Sequence, residues 1–212
     1  DGGKRVGRSA FKQLYLQSLH LQPNGADDVS TASHQLHDQI AATLAQWEAD
    51  EARARARLAP PGVASPEQVT PLTGLQMFEA MGRGELPSPY IGATLDFWPV
   101  AFEFGRMVFQ GRPSEKYLNP LGTIHGGWIA TLLDSAVGCA IHTTLPAGRG
   151  YTTAELKISY VRALSPRTPL VRAEGRIINS GRQVGFAEGR LVGPDGKLYA
   201  HATTTCVVLA PR

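Results

Sequence analysis

The spacing of apolar residues shifts from a helical period in the first part of the chain to an alternating period in the last. The first clear pattern predicts a helix from about Thr31 or Ser33 to about Leu58, with Ser33 as the candidate N-cap. The apolar side chains of this pattern are Leu36, Ile40, Leu44 and Trp47. A linker is expected after it, at Ala59-Pro60-Pro61-Gly62 and Ser65-Pro66. An earlier and shorter helical stripe is suggested by Phe11, Leu14, Tyr15 and Leu19.

The middle of the chain predicts a short helix, two strands and a buried helix. The short helix is expected between residues 73 and 84, and the strands, 95 to 104 and 107 to 110, on either side of Gly105. The segment from residue 128 to 141 is apolar nearly all the way round. That pattern is typical of a helix that is buried on most of its sides.

After Pro146 the apolar positions alternate with polar ones, as they do in strands. In the first of these strands the polar set is Thr153, Glu155, Lys157 and Ser159, and it alternates with Ala154, Leu156, Ile158 and Tyr160. Three more strands are expected at residues 170 to 178, 183 to 192 and 198 to 209, joined by short Gly-containing turns. Short turns between strands predict an antiparallel sheet. A buried helix ahead of it predicts an α+β fold in which the sheet curls around the helix. We therefore expect an N-terminal helical extension with a Pro-rich linker at 1–66 and a sheet-and-helix domain at 67–212.

Composition narrows the class of protein. The 212 residues are 42% hydrophobic and 18% charged, which excludes a disordered, collagen-like or disulfide-scaffold chain as a whole. No N-terminal apolar run resembles a signal peptide, and no stretch reaches the ~20 apolar residues that a membrane span needs. With only two cysteines, Cys139 and Cys206, we expect a cytoplasmic protein with reduced thiols and no membrane partner.

The net charge of +3 is too small to predict a nucleic-acid partner, because such proteins carry a concentrated basic patch. The surplus is confined to residues 67–212, which carry 14 basic and 11 acidic side chains, and most basic residues are arginines. Arginine binds phosphate through a planar fork. A phosphorylated small ligand is therefore compatible with this domain, as is an ordinary solvated surface.

Asp134 is the most informative residue, because it lies on the helix whose other positions are almost all apolar. A carboxylate there costs several kcal/mol unless it is paired or hydrogen-bonded. It either caps a neighbouring backbone amide or has a function. His125-Gly126-Gly127 precedes it where the helix should begin. Glycines let a ligand approach the backbone, and free amide groups at a helix N-terminus favour a developing negative charge, as an oxyanion hole does.

The spacing of Gly126 and Asp134 predicts a site made by two chains. Eight residues of helix separate them by roughly 12 Å. A carbonyl that the Gly126 amide polarises cannot also be attacked by Asp134 of the same chain, because reacting atoms must approach to about 3–3.5 Å. If both act on one carbonyl, the active site lies at a dimer interface, with antiparallel helices from two subunits.

These residues also carry a family resemblance. The segment Asn119-Pro-Leu-Gly-Thr-Ile-His-Gly-Gly127 followed by Leu132-Leu133-Asp134 closely resembles the hotdog-fold thioesterases of the phenylacetic acid degradation (PaaI-like) type. The strands 151 to 160 and 196 to 208 are similar to the family's strands, and the resemblance covers roughly residues 73–210. It implies a sheet wrapped around a central helix, a homodimer or a homotetramer built as a dimer of dimers, and hydrolysis of a medium-chain, long-chain or aryl acyl-CoA thioester.

The resemblance also implies a role for each site residue. Asp134 would be the nucleophile or the general base, and the Gly126 amide would polarise the thioester carbonyl. Asn119 and His125 would orient the carbonyl or the leaving sulfur. Thr153, on the opposite subunit's wall beside Asp134, would hold the attacking water.

Three further groups have a less specific interpretation. Arg162 and Arg182, with Arg190, are candidates for the CoA phosphates, although exposed strand arginines at hairpin ends would look the same. Gly127 would face the substrate with Gly126. Trp128 either lines the acyl pocket or packs in the core.

The chemistry is consistent without a cofactor or a metal. A thioester carbonyl needs an activator and a nucleophile or base, and its thiolate leaves readily because the thiol pKa is about 8.5. His142 and His201 show no metal-ligand spacing around His125. Two alternatives stay open. A non-catalytic hotdog module could bind or sense acyl-CoA without needing the Asp134–Asn119 pair. A hotdog dehydratase or hydratase would use a His with a carboxylate in another arrangement, which this segment fits poorly.

Overall fold

The structure is a computed structural model, and it describes residues 26 to 210. The helical stripe expected at residues 11 to 19 lies outside them. The chain divides into two units, with the boundary between Ile40 and Ala41. Helix α1 spans Ala26–Arg57 and so begins before the expected Thr31 or Ser33. The residues that precede Ser33 carry too few apolar positions for periodicity to reveal the first turns of this helix.

The second unit contains four further α-helices and eight strands. Its helices are α2 (Pro66–Val69), α3 (Gly74–Gly82), α4 (Tyr90–Leu95) and α5 (Gly126–His142), with a 3₁₀ turn at Glu115–Tyr117. Its strands are β1 (Ala59–Pro61), β2 (Pro87–Ser88), β3 (Phe97–Glu103), β4 (Arg106–Gly111), β5 (Gly150–Tyr160), β6 (Val171–Ser180), β7 (Val184–Val192) and β8 (Leu198–Leu209). The expected short helix, buried helix and strands are present. The short helices α2 and α4 and the strands β1 and β2 were not expected, and β1 and the start of α2 lie where a linker was expected.

The main sheet has six strands in the order β3-β4-β6-β7-β8-β5, and every neighbouring pair is antiparallel. Strands β1 and β2 form a separate parallel pair. Helix α5 packs on one face of the main sheet, so the prediction of an α+β hotdog fold is confirmed. Strands β3 and β5 are the two edges of this sheet.

Helix α5 lies unusually close to the sheet because glycines face it. A Cβ atom on Gly175 of β6 would lie 2.2 Å from the carbonyl oxygen of Ala136 on the helix. Its cross-strand partner, Gly189 of β7, would place a Cβ atom 2.6 Å from a methyl group of Val137. The helix residues on this face are fully buried, among them Leu132, Leu133, Ala136, Val137, Ala140 and Ile141.

The end of α1 covers the other face of the sheet at β4 and β6. Side chains alternate between faces along a strand, so Gln110 points away from the core that contains Phe109. The Gln110 amide is buried and donates to the Trp47 carbonyl and to the Glu51 carboxylate, both at 3.0 Å. The Arg172 guanidinium lies 4.5 Å from the centre of the Trp47 ring.

Charged groups complete this contact. Arg172 donates to Gln110 at 2.8 Å and to Asp50 at 2.6 Å. Burial raises the pKa of Asp50, but hydrogen bonds from Arg172 and Gln46 and the charge of Arg172 outweigh it, so the pKa lies below its ordinary value. Asp50 therefore stays charged at neutral pH and holds Arg172 against α1.

This contact predicts that the last turns of α1 stabilise the sheet. A chain that starts at residue 59 loses the hydrogen bonds of Gln110 and Arg172 to α1, at about 0.5–3 kcal/mol each, and exposes the sheet face that Trp47 covers. We expect its free energy of unfolding in urea to fall accordingly. A chain that starts at residue 41 keeps every contact named above and serves as the matched control. Equal unfolding free energies for the two chains would contradict the prediction.

Candidate active site

Asp134 lies on the flank of α5 that is next to the edge strand β5. Leu133 and Ala136 pack against the sheet and are fully buried, whereas Asp134 is only partly buried. Its carboxylate accepts a hydrogen bond of 2.9 Å from the hydroxyl group of Thr153 on β5. A carboxylate held by one hydroxyl keeps its second oxygen available for a ligand or a water molecule.

The structure corrects the expected placement of Thr153. The resemblance placed this residue on the opposite subunit's wall, but the Thr153 hydroxyl contacts Asp134 of its own chain. An irregularity in the β5–β8 register between Thr153 and Glu155 turns the Thr153 side chain toward the helix of its own chain. Strict alternation would put Thr153 on the face opposite Leu156. Because of the bulge, Thr153 pairs with the buried Cys206 and both side chains face the helix.

A cavity of about 190 Å³ opens beside Asp134. Its walls are mostly apolar and aromatic, and they include Phe78, Phe97, Trp98, Phe109 and Tyr151. Asp134 and Ser135 are the helix residues that bring oxygen atoms to the cavity. Small-molecule sites are usually apolar pockets with a few polar groups that orient the ligand. In this cavity the charged group is the Asp134 carboxylate.

Two thiols lie close to the Asp134 carboxylate. Burial raises the pKa of the Cys139 thiol to about 12. Burial also raises the pKa of Cys206, whose sulfur lies 4.0 Å from the Thr153 hydroxyl oxygen. The nucleophilic form of cysteine is the thiolate. Neither thiol is therefore prepared to act as a nucleophile at neutral pH, which leaves Asp134 as the candidate reactive group of this cavity.

The N-terminus of α5 forms a second polar group of residues. His125 is the N-cap, and its Nδ1 atom accepts a hydrogen bond of 2.8 Å from the Gly127 amide. Gly127 therefore has no free amide hydrogen for a substrate. Within residues 26 to 210 no group accepts from the Gly126 amide. That amide lies in the first turn of the helix, where the dipole favours a negative charge.

Tyr160 fixes the Gly126 peptide, a role that the sequence did not reveal. The Tyr160 hydroxyl donates to the Gly126 carbonyl oxygen at 2.9 Å. A Cβ atom on Gly126 would lie 3.0 Å from the Tyr160 ring, so the ring leaves little room for a side chain. The alternating pattern placed Tyr160 on β5, but no sequence signal connects the strand's last residue to the start of the helix.

Asn119 organises the loop that leads into α5. Its side-chain oxygen accepts from the backbone amides of Leu121, at 2.9 Å, and Thr123, at 3.2 Å. Its side-chain amide donates to the Thr123 hydroxyl at 2.8 Å. Within one chain, Asn119 thus holds the loop that carries His125 and Gly126 into the helix.

One chain keeps the expected site residues in two groups. Asp134 and Thr153 are together beside the cavity, and Asn119, His125 and Gly126 are together at the helix N-terminus. The eight residues between Gly126 and Asp134 correspond to roughly 12 Å of helix. In a single chain Gly126 and Asp134 are therefore too far apart to act on the same carbonyl, and this separation is the basis of the predicted two-chain site.

The other expected binding residues are spread out. Trp128 is 4% exposed, stacks on Tyr117 and donates from its indole nitrogen to the Leu95 carbonyl at 2.8 Å, which are the contacts of a core residue. It does not line the cavity beside Asp134. Arg162 follows the end of β5, whereas the Arg182 carbonyl accepts from Arg149, which precedes the start of that strand. One chain therefore does not bring the two arginines together.

From residue 26 to residue 210, no three His, Cys, Asp or Glu side chains cluster as metal ligands would. None of the helices in this part of the chain combines the length and the apolar character that crossing a membrane requires.

Comparisons with known proteins agree with this geometry. The model of the thioesterase superfamily matches residues 121–200, which include Gly126, Asp134 and Thr153. A candidate thioesterase of Ralstonia eutropha JMP134, described as related to phenylacetic acid degradation, is 32% identical in sequence. Its crystal structure gives a TM-score of 0.57, and the alignment covers 61% of this chain and 98% of that one. The chain belongs to the thioesterase superfamily, with a hotdog fold of the PaaI-like type, which places it among the thioester hydrolases.

Two other relatives bear on the function. A candidate esterase of Halobacterium salinarum is 34% identical over 41% of this chain, and the match spans 56% of the archaeal protein's length. A protein of Streptococcus mutans UA159, solved bound to acetyl CoA, is 27% identical with a TM-score of 0.50. That alignment covers 55% of this chain and 90% of the streptococcal one.

The hydrogen bond between Thr153 and Asp134 predicts a matched pair of variants. Thr153→Val removes the hydroxyl and keeps the shape, so the carboxylate loses its fixed orientation. We expect kcat for thioester hydrolysis to fall about ten-fold or more, because a hydrogen bond to a charged group contributes about 1.5–3 kcal/mol. Thr153→Ser keeps the hydroxyl and should stay close to the unchanged protein. A thiol-release assay measures both, and equal kcat values for the two variants would exclude the role of the hydroxyl.

Proposed function

We propose that this protein is an acyl-CoA thioesterase, which hydrolyses an acyl-CoA thioester to the free acid and CoA. The observation that carries the proposal is a carboxylate, Asp134, oriented by Thr153 at the wall of an apolar cavity. The family membership supports the reaction class, and the streptococcal relative bound to acetyl CoA supports a CoA ester as the substrate. A cytoplasmic location is part of the proposal, supported by the two free cysteines.

In the general-base route, Asp134 takes a proton from water while the water oxygen attacks the thioester carbon. The carbon–sulfur bond then breaks, and the CoA thiolate leaves and takes up a proton. The Thr153 hydroxyl donates its hydrogen to Asp134, so its oxygen can accept a hydrogen bond from that water. In the nucleophilic route, the carboxylate forms an anhydride with the acyl group, CoA leaves, and water cleaves the anhydride. Both routes consume one water and need no cofactor.

A second copy of the chain completes the site in this proposal. The Gly126 amide of the second copy would polarise the carbonyl that Asp134 attacks or presents to water, with Asn119 and His125 holding the loop. Strand β5 supports such a dimer, because it is an edge strand of 11 residues whose outer backbone groups are available for pairing. Further association into a dimer of dimers is compatible with this arrangement.

The cavity beside Asp134 and the exposed arginines indicate where the two parts of an acyl-CoA would bind. The apolar cavity takes the acyl group, which can be medium-chain, long-chain or aryl. Arg162 and Arg182 are exposed and are candidates for contacting the CoA portion, and Gly127 lies beside Gly126 at the helix N-terminus. Trp128 is buried in the core and takes no part in binding in this proposal. Because the two arginines lie at opposite ends of β5, one CoA molecule would meet them only where two chains assemble.

Asp134 variants test the reaction. Asp134→Asn and Asp134→Ala remove the base or nucleophile and should lower kcat in a thiol-release assay by about 10²–10⁴-fold. The fold should persist by circular dichroism. Glu188→Gln is the matched control, because it removes an exposed carboxylate on β7 and should leave kcat unchanged. Unchanged turnover of every tested acyl-CoA by both Asp134 variants would exclude the mechanism. Tight acyl-CoA binding without any turnover by the unchanged protein would favour a non-catalytic binding module.

Mixed dimers test whether two chains build the site. Gly126→Pro deletes the amide hydrogen at the first helix position, where proline is tolerated, and His125 already has the extended backbone that precedes proline. Homodimers of Gly126→Pro or of Asp134→Ala should both be inactive. In a mixed dimer one of the two sites combines an intact Asp134 with an intact Gly126, so activity should return.

The Tyr160 ring must move by a few tenths of an ångström to admit the proline. A thermal melt of the Gly126→Pro homodimer therefore accompanies the assay. Mixed dimers that stay as inactive as both parents would place the whole site within one chain.

A further inference from the structure

The segment between residues 62 and 91 forms an open apolar groove next to the cavity of Asp134. The groove has a volume of about 420 Å³ and is lined by no charged residue. Its walls include Val63, Met77, Met81, Pro89, Tyr90 and Ile91. We name it the tail groove. It lies outside residues 121–200, the part of the chain that matches the family model.

The tail groove concentrates apolar surface that the fold leaves exposed. Val63 is 85% exposed, Tyr90 62% and Ile91 47%. Exposed apolar side chains that line one groove, rather than being scattered over the surface, make the groove a candidate place for an apolar ligand. Tyr90 and Ile91 are the first two residues of the short helix α4. The position of this helix places both side chains at the groove, where they stay exposed to solvent.

The cavity and the tail groove adjoin each other. Met81, Pro89 and Ile91 line both of them. Met81 is unbranched and has three rotatable bonds, so a change of its rotamer can widen the passage between the two spaces. Ile91 is half-exposed and lies at the outer side of the same passage.

The cavity alone is small. A cavity of about 150 Å³ lined by Leu, Ile and Phe takes a benzene molecule. At about 190 Å³, the space beside Asp134 accommodates little more than one ring or the first part of a chain. A linear chain, unlike a ring, can continue past Met81 into the second apolar space.

We propose that the acyl group of the substrate is a long linear chain, whose first part fills the cavity beside Asp134 and whose tail lies in the tail groove. This inference rests on the proposed thioesterase function and narrows its substrate class. The groove, rather than the catalytic residues, then selects the chain length. We assign the tail groove to the tail of the substrate, because the groove adjoins the cavity of Asp134 within one chain.

A chain-length series tests this selection. Saturated acyl-CoAs of 4, 8, 12 and 16 carbons and phenylacetyl-CoA are assayed for thiol release, below the micelle concentration of the long esters. Each methylene that becomes buried can raise kcat/KM by up to about four-fold. We expect kcat/KM to rise at least about ten-fold between the 8-carbon and 16-carbon esters, and phenylacetyl-CoA to be hydrolysed less efficiently than the 16-carbon ester.

Two groove variants make the test specific. Ile91→Asp places a charge at the outer side of the passage, and Met81→Trp narrows the passage itself. Both should lower the ratio of the 16-carbon to the 4-carbon kcat/KM at least about ten-fold, since a charge or a blocked passage removes the burial of the tail. Phe104→Asp, at a 69% exposed apolar residue in the β3–β4 turn, is the matched control and should leave the ratio unchanged.

The outcomes separate the two proposals. If no acyl-CoA of any length is hydrolysed, the proposed function fails. If hydrolysis occurs but kcat/KM is flat or falls beyond 8 carbons, or if Ile91→Asp leaves the ratio unchanged, the tail groove has another occupant and the inference is overturned. A changed oligomeric state of Ile91→Asp in light scattering, with an unchanged ratio, would identify that occupant as a second copy of the chain. Met81 is buried, so Ile91→Asp decides the question if Met81→Trp fails to fold.

Discussion

The close approach of helix α5 to the sheet is the constraint on which the site depends. Gly175 and Gly189 have no side chains where the helix backbone passes, so the sheet receives the helix at short range. The apolar face of the helix packs against the sheet in this contact and is fully buried. Asp134 and Ser135 lie beside this contact and line the cavity, which strands β3, β4 and β5 also border. A larger residue at Gly175 would have to displace the helix and, with it, the carboxylate.

This arrangement also explains why a single carboxylate is tolerated there. An unpaired charge in an apolar wall is costly, and a hydrogen bond offsets part of that cost. Thr153 supplies the bond because a bulge turns its side chain toward the helix. The remaining oxygen of Asp134 is available for chemistry. The structural need and the proposed catalytic need are therefore met by the same contact.

Much of this could be predicted from the sequence, and the failures have specific causes. The helix around Asp134 and the antiparallel strands followed from periodicity, because burial imposes a pattern on each of them. Thr153 was placed on the opposite subunit by the family resemblance, and the bulge that turns its side chain toward the helix of its own chain has no signal in the composition. The contact of α1 with the sheet was missed because it uses polar side chains, such as Glu51 and Gln110, that are 59 residues apart in the chain.

The cavity walls were not predictable for a related reason. They come from short elements between residues 78 and 109 that share no spacing with the helix they face. The Tyr160 contact with Gly126 joins the end of a strand to the start of a helix, and only the folded register shows it. The candidate residues Asp134 and Gly126 could be singled out from the sequence because their chemistry is unusual for their surroundings. Their partners are ordinary residues whose importance comes from position.

The contact between α1 and the outer face of the sheet has a mechanical consequence for the cavity. Strands β4 and β6 have a helix on each face, so the support beneath Asp134 is held from two sides and resists bending. The rest of the wall combines strand residues, such as Phe97 and Phe109, with residues of the short helices α3 and α4, among them the unbranched Met81. The cavity thus joins a part of the sheet that is covered on both faces to a part whose side chains have more freedom to repack.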